Sequence, residues 1–186
     1  MRIVGGVHRG LQLAELGAGD PAAHLRPTPD RVREALFNIL GQGRWGDLVS
    51  GQTVLDLFAG TGALGLEALS RGAAEVTLVD DGAAARGLIR ANIAKLKVTE
   101  TARLLRRDAT ELGPNTGAAC GLVFLDPPYG KGLGAKALAS ALAGGWLAPQ
   151  ATIVWEESAP QPAPKGFETL DQRRYGETWI TLLRAP

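Results

Sequence analysis

Residues 122–130 read LVFLDPPYG, an apolar run that ends abruptly on an acid, two prolines and a tyrosine. Val123, Phe124 and Leu125 suit a strand covered on both faces, as in a parallel sheet. Pro127 and Pro128 cannot extend it, because each lacks an N–H and has φ fixed, so the chain must leave the sheet at Asp126. A carboxylate, a proline carbonyl and an aromatic ring therefore arrive together at the carboxyl end of a strand. Open α/β sheets bind their ligands at that end.

The chain around this stretch alternates strand and helix signals. Strands are predicted at Thr53–Leu57, Glu75–Asp80, Ala102–Arg106, Cys120–Leu125 and Ala151–Glu156, and helices at Ala63–Ser70, Ala83–Leu96 and Leu133–Ala143. Strands separated by helices imply a mostly parallel, doubly wound α/β sheet. After the prolines of 159–164 the pattern changes: Phe167–Arg173 and Thr178–Arg184 flank Arg174-Tyr175-Gly176-Glu177 and read as a terminal antiparallel hairpin. Upstream, residues 1–13 alternate loosely around Gly5, Gly6 and Gly10 and read as a small β-hairpin, followed by a loop over 14–27. Thr28-Pro29 looks like an N-cap and first helical residue, and Val32, Ala35, Leu36, Ile39 and Leu40 recur at helical spacing up to Gly41. The expected organisation is an N-terminal hairpin and helix over 1–45 and an α/β domain over 46–186.

Composition narrows the class further. With 186 residues, 45% of them hydrophobic, the chain can build one full core with a small appendage. The formal charge is only +1, so a polyanion must be met by a local basic patch; fifteen of the twenty basic residues are arginine, which suits bidentate phosphate and base contacts. The single cysteine, Cys120, excludes an internal disulfide and a cysteine-cluster metal site, and reads as an inert core thiol. The first residues carry no signal-peptide core, and no apolar run approaches ~18 residues. A soluble, cytoplasmic setting is expected, with no membrane and no metal.

The first strand runs into Asp56-Leu57-Phe58-Ala59-Gly60-Thr61-Gly62-Ala63-Leu64-Gly65, and Asp80 ends the second strand 18 positions beyond Gly62. Residues 60–65 satisfy GxGxxG, so one reading is a nicotinamide dinucleotide on the glycine turn with Asp80 on a ribose. Asp56 bears on the alternative. A carboxylate four residues before the first glycine is unwelcome beside a pyrophosphate, whereas S-adenosylmethionine has no phosphate and carries an ammonium group. Gly60 and Gly62 allow close backbone approach under either reading, and the methionine carboxylate would meet the helix beginning near Ala63. Asp108 and Ala109 follow the third strand, where they could meet an adenine amine and ring nitrogen.

An sp2 amino group is a poor nucleophile because its lone pair is delocalised. Hydrogen bonds from it to the Asp126 carboxylate and the Pro127 carbonyl would aim the lone pair at a methyl sulfonium, with Pro128 shaping the turn and Tyr129 stacking on the base. In-line transfer then needs orientation at roughly 3–3.5 Å and removal of a proton that becomes acidic as the bond forms.

Together, DLFAGTGALGLEALSRGA with Val79-Asp80, FLDPPYG, and RPTPDRVREALFNIL preceded by GGVHRG resemble the bacterial small-subunit ribosomal RNA guanine-N2 methyltransferases of the RsmD type, over nearly the whole chain. The resemblance implies a Rossmann-like class I methyltransferase with a seven-stranded sheet. It implies S-adenosylmethionine as donor and the exocyclic N2 amine of one guanine in 16S rRNA as acceptor, within the small ribosomal subunit; a monomeric enzyme is expected. Carried over by position, Asp56, Phe58, Gly60, Gly62, Asp80, Asp108 and Ala109 would line the cofactor, and Asp126, Pro127, Pro128 and Tyr129 the target base.

RNA contact is expected in the N-terminal segment. Residues 1–44 hold six arginines against four acids, and Arg9, Arg26, Arg31 and Arg33 could grip phosphates or stack on splayed bases. Two other classes remain on residue grounds: an amino-group methyltransferase acting on DNA adenine or protein glutamine, and an NAD-dependent oxidoreductase.

Overall fold

The structure is a computed structural model that describes residues 1–16 and 28–186. Its elements, in chain order, are α1 (Asp30–Gln42), β1 (Thr53–Leu57), α2 (Ala63–Ser70), β2 (Glu75–Val79), α3 (Ala83–Leu96), β3 (Ala102–Leu105), β4 (Cys120–Leu125), α4 (Leu133–Ala143), β5 (Leu147–Glu157), β6 (Glu168–Tyr175) and β7 (Thr178–Arg184). The seven strands form one sheet in the order β3-β2-β1-β4-β5-β7-β6. β1 to β5 pair in parallel, and β7 runs antiparallel between β5 and β6. The chain winds outward from β1 to β3 and then returns to place β4 on the other side of β1. That reversal is where an open sheet leaves a crevice.

Period-two alternation divides the core. Val54, Val76, Leu78, Leu122, Phe124 and Val154 face one layer, which holds Leu36, Phe37 and Leu40 of α1, Leu66 of α2 and Ile89 and Ile93 of α3. Leu55, Leu57, Val79, Val123, Leu125 and Ile153 face the other, covered by Ala137, Leu138 and Ala141 of α4 together with Leu112 and Trp146. Cys120 is buried in this second layer, and burial pushes its thiol up to about 12.

Three expectations shift. β5 begins at Leu147, four residues earlier than its apolar core, because a register irregularity between Cys120 and Leu122 takes up the extra residues around Pro149 and Gln150, the latter with φ 62°. β6 runs on to Tyr175, so the terminal turn shortens to Gly176-Glu177. Thr28 does not cap α1. Pro29 occupies the N-cap position without a side-chain bond, and the Thr28 hydroxyl donates instead to the carboxyl oxygen Glu156 Oε2 at 2.9 Å.

The N-terminal hairpin is a short ribbon, bridged at Arg2 and Gln12 and closed by Ile3 N–H to Leu11 O at 3.0 Å and Gly10 N–H to Ile3 O at 2.8 Å. Fully buried Glu67 of α2 anchors it by accepting the amides of Val4 at 2.9 Å and Gly5 at 2.8 Å. Gly6 then sits at φ +78°, where a Cβ would fall 1.8 Å from the Ser70 carbonyl oxygen; the ribbon seats on the end of α2 only because that residue is glycine. Ile3 and Leu13 share the core layer of Leu36 and Phe37. Among the described residues no helix is long and apolar enough to cross a membrane.

Candidate active site

The site follows from register. Leu57 is level with Val79 and with Leu125, and Leu125 with Trp155. The next residue on each strand therefore falls in one row at the carboxyl edge of the sheet: Asp80, Phe58, Asp126 and Glu156.

In the first half of the row the backbone turns tightly after β1. Phe58 has φ 60°, Gly60 φ 60° and Gly62 φ 79°. The turn is held by Ala59 N–H to Val79 O at 3.0 Å and Gly62 N–H to Ala59 O at 2.7 Å. Asp80 braces it from β2: Oδ2 accepts Gly60 N–H at 3.0 Å and Oδ1 accepts Gly82 N–H at 2.9 Å. Each oxygen keeps a second lone pair. Burial raises the Asp80 carboxyl above its usual range, and the two amide bonds oppose that shift. Asn92 of α3, fully buried, ties the same turn to the N-terminal segment, with its Nδ2 on Thr61 O at 2.9 Å and its Oδ1 accepting Ala14 N–H at 2.6 Å.

A cavity of about 190 Å³ opens beside this turn, lined by Phe58, Val79, Asp80, Asp81, Arg107, Asp108, Ala109, Pro128 and Leu133. Phe58, Asp80, Asp108 and Ala109, far apart in sequence, thus meet around one space that Pro128 joins from the other half of the row. Asp108 is exposed there and ionises readily, because the hydroxyl and amide of Thr110 both donate to its Oδ1, at 2.7 and 2.8 Å. Three expected lining residues, Asp56, Gly60 and Gly62, are not among those that line it. Asp56 is 1% exposed and spends its Oδ2 on the amide of Gly65 at 2.9 Å; burial pushes it up to about 8. It faces the root of α2 rather than the cavity, because the side chain points inward at that position of β1. A Cβ on Gly62 would likewise meet Leu66, Leu78 and Ile89 of the core at 3.4–3.6 Å rather than the cavity.

In the second half, Asp126 leaves β4 with its amide directed to Leu57 O at 3.4 Å. Pro127 is buried, Pro128 exposed, and Asp126 and Tyr129 partly exposed. The Tyr129 hydroxyl donates to Glu156 Oε1 at 2.9 Å and lies 3.2 Å from Thr178 Oγ1. Gly130 N–H reaches the Glu157 carboxylate at 3.1 Å. Desolvation, then repulsion from Glu156, Asp56 and Glu157, holds the Asp126 carboxyl well above its ordinary range. Burial likewise raises Glu156 and the Tyr129 phenol. The row thus places Asp126 and Tyr129 beside the cavity that Pro128 helps to line. Glu156 and Thr28 were not legible as site residues. Glu156 closes an ordinary apolar strand pattern, and Thr28 before Pro29 has the pattern of a helix cap.

The arginines separate. Arg9 stands exposed on the turn of the N-terminal ribbon, and Arg31 exposed on α1. Arg26 lies outside the described residues. Arg33 is fully buried, with its Nη2 on Asp30 Oδ1 at 2.6 Å and on Arg2 O at 2.5 Å. It cannot reach RNA, because α1 packs that face against the core. Among the described residues no group of three or more His, Cys, Asp or Glu side chains is arranged to hold a metal ion.

Over residues 1–184 the chain matches the family described as conserved hypothetical protein 95. It is 40% identical over 165 residues to the ribosomal RNA small subunit methyltransferase D of Escherichia coli strain K12, covering 88% of this chain and 78% of that protein. It is 33% identical over 181 residues to the protein of the same name from Haemophilus influenzae, covering 95% and 89%. A solved structure of a putative methyltransferase from Escherichia coli matches with TM-score 0.81 at 35% identity, over 100% of this chain and 97% of that one.

Proposed function

The chain belongs to the conserved hypothetical protein 95 family, that of the ribosomal RNA small subunit methyltransferases D, and we propose that it transfers a methyl group from S-adenosylmethionine to the exocyclic N2 amine of one guanine in 16S rRNA, acting as a monomer on the small ribosomal subunit. The carrying observation is the shared edge: Asp126 stands one residue past the Leu57–Leu125 pair, and Pro128 closes the cavity lined by Phe58, Asp80, Asp108 and Ala109.

The cofactor fits these residues. Asp80 offers two carboxylate lone pairs to ribose hydroxyls, Asp108 an exposed acceptor to the adenine amine, Ala109 a backbone amide and Phe58 and Val79 apolar walls. The glycine turn around Gly60 and the first turn of α2 remain for the methionine end. When bound, S-adenosylmethionine supplies an electrophilic methyl group on a sulfonium.

The chain's own residues supply orientation. The Asp126 carboxylate and the Pro127 carbonyl accept from the two N–H groups of the guanine amine, which turns its lone pair toward the donor side of the row; as the N–C bond forms, the C–S bond would break with its electron pair returning to sulfur, and the amine gives up one of its two protons. Pro128 shapes the acceptor loop, and the Tyr129 ring, with its hydroxyl anchored, stacks on the base. Electrostatic crowding that raises Asp126 also makes its oxygens stronger acceptors once ionised. The base must be unstacked to arrive, at a few kcal/mol in a duplex and less in a loop, so the target is a loop or bulge guanine. In this reading residues 1–45 form the RNA-facing arm, with Arg9, Arg26 and Arg31 as phosphate or base contacts, and residues 46–186 the transferase domain. The near-neutral charge of the whole chain favours an assembled particle over naked RNA.

Transfer of labelled methyl to small subunits from a strain lacking the modification, followed by mapping, tests the reading. Label at a single guanine N2 is expected. Label in DNA or protein instead, or binding of NADH without S-adenosylhomocysteine, would defeat it.

A further inference from the structure

Glu156 is 6% exposed at the end of β5, and among the described residues no Lys, Arg or His pairs with it. A buried carboxylate without a cation is unfavourable, and here Asp126 stands close enough to repel it. This carboxylate does something a smaller or apolar residue could not. Its two oxygens accept hydroxyls from two separate segments: Oε1 from Tyr129 on the acceptor loop and Oε2 from Thr28 on the segment leading into α1, both at 2.9 Å. These segments lie 101 positions apart in sequence and touch the same side chain. Tyr129 is further fixed by Thr178 on β7.

We propose that Glu156 is a positioning residue for the acceptor base: it brackets Tyr129 and Thr28 into one wall, fixing the ring that stacks on the guanine and holding the N-terminal arm against the acceptor loop. The inference rests on the acceptor-site reading above. A tyrosine ring with its hydroxyl held at one point has its plane set before the base arrives, so less order must be imposed on binding. The arm that contacts RNA and the loop that contacts the target base then move as one unit.

The tests are steady-state kinetics on small subunits, S-adenosylhomocysteine calorimetry and a pH profile. Glu156→Ala should raise the RNA KM and lower kcat/KM by about 10- to 100-fold, the size expected when hydrogen bonds to a charged acceptor are lost, while cofactor affinity stays within about twofold. Tyr129→Phe should cost less in the Glu156→Ala background than in the wild type, since the bond it removes is already gone. Glu156→Gln, whose amide can still serve both hydroxyls, should restore most of the RNA KM. It should also move the acid limb of the kcat/KM profile to lower pH, because one negative charge facing Asp126 is removed while the neighbouring carboxyls Asp56 on β1 and Glu157 on β5 are unchanged. Full kcat/KM in Glu156→Ala, or an undiminished Tyr129→Phe effect in that background, would overturn the proposal. Should Glu156→Ala fail to fold, Thr28→Val with wild-type kcat/KM together with Glu156→Gln with an unmoved acid limb would overturn it equally. Transfer retained in Asp126→Ala would instead remove the acceptor-site reading beneath it; an inactive Asp126→Ala beside a fully active Glu156→Ala would remove this proposal alone.

Discussion

The Asp56 carboxylate lies 2.9 Å from the amide nitrogen of Gly65, and this bond replaces a missing helix cap. Gly62 is the N-cap residue of α2, in a left-handed conformation and without a side chain that could accept an orphan amide. Asp56 supplies the acceptor from the neighbouring strand. The turn can thus be glycine-lined for close approach and still lead into a capped helix.

Stability should decrease with pH through this group. Asp56 titrates at about 8 in the folded chain against 3.8 for a free carboxyl, so the folded state prefers the protonated form. Its contribution is complete below about pH 4, declines as pH rises toward 8 and is gone above, at no more than about 1.4 kcal/mol per pH unit. Asp56→Asn mimics the neutral carboxyl and should flatten that slope, as read by thermal unfolding between pH 5 and 9. An identical slope in the two proteins would exclude Asp56 as its source.

Asp80 is expected to govern cofactor affinity. Asn at this position can accept only one of the amides of Gly60 and Gly82 and loses the charge offered to the ribose. Asp80→Asn should weaken S-adenosylhomocysteine binding by about 10- to 100-fold in calorimetry while far-ultraviolet circular dichroism stays unchanged. Wild-type affinity would mean that the cavity beside Phe58 is not where the nucleoside binds.

Asp126→Ala should abolish methyl transfer and leave S-adenosylhomocysteine affinity nearly intact, because the residue faces the acceptor half of the row. The wild-type enzyme should gain kcat/KM with rising pH as the raised Asp126 carboxyl ionises. A cofactor-binding defect in the variant would place Asp126 on the donor side instead.

Two arginines of the N-terminal segment should behave oppositely. Arg33→Met removes a buried guanidinium that holds Asp30 and the Arg2 carbonyl, and should change the melting temperature while leaving affinity for small subunits unchanged. Arg9→Ala should leave the melting temperature unchanged, weaken binding to small subunits, and reduce the salt dependence of that binding by about one unit in log–log slope. A loss of RNA affinity with unchanged stability in Arg33→Met would contradict the buried placement of that side chain.

Much of this architecture is legible in the sequence because its causes are local. β1, α2, α3, β4, α4 and β7 have the boundaries that periodicity and glycine or proline stops suggest. β5 and β6 do not, since an irregular register between neighbouring strands leaves no mark on either strand's own pattern. The candidate site is legible by residue type and less so by role. Phe58, Asp80, Asp108 and Ala109 meet at one cavity, whereas Asp56 and Arg33 turn inward, because the identity of an acid or a base says nothing of which way its side chain faces.

The sequence by itself determined the alternation of strands and helices, the glycine turn, the acid at the end of β2 and the acid-proline-proline-tyrosine stop after β4, each set by backbone rules acting over a few residues. Tertiary structure alone decided that Asp80, Phe58, Asp126 and Glu156 form one row, that Asp56 caps α2, that Arg33 is buried, and that Thr28 meets Tyr129 through Glu156. Those relations depend on strand register and on which oxygen satisfies which donor across long stretches of chain. Only packing the whole sheet fixes them.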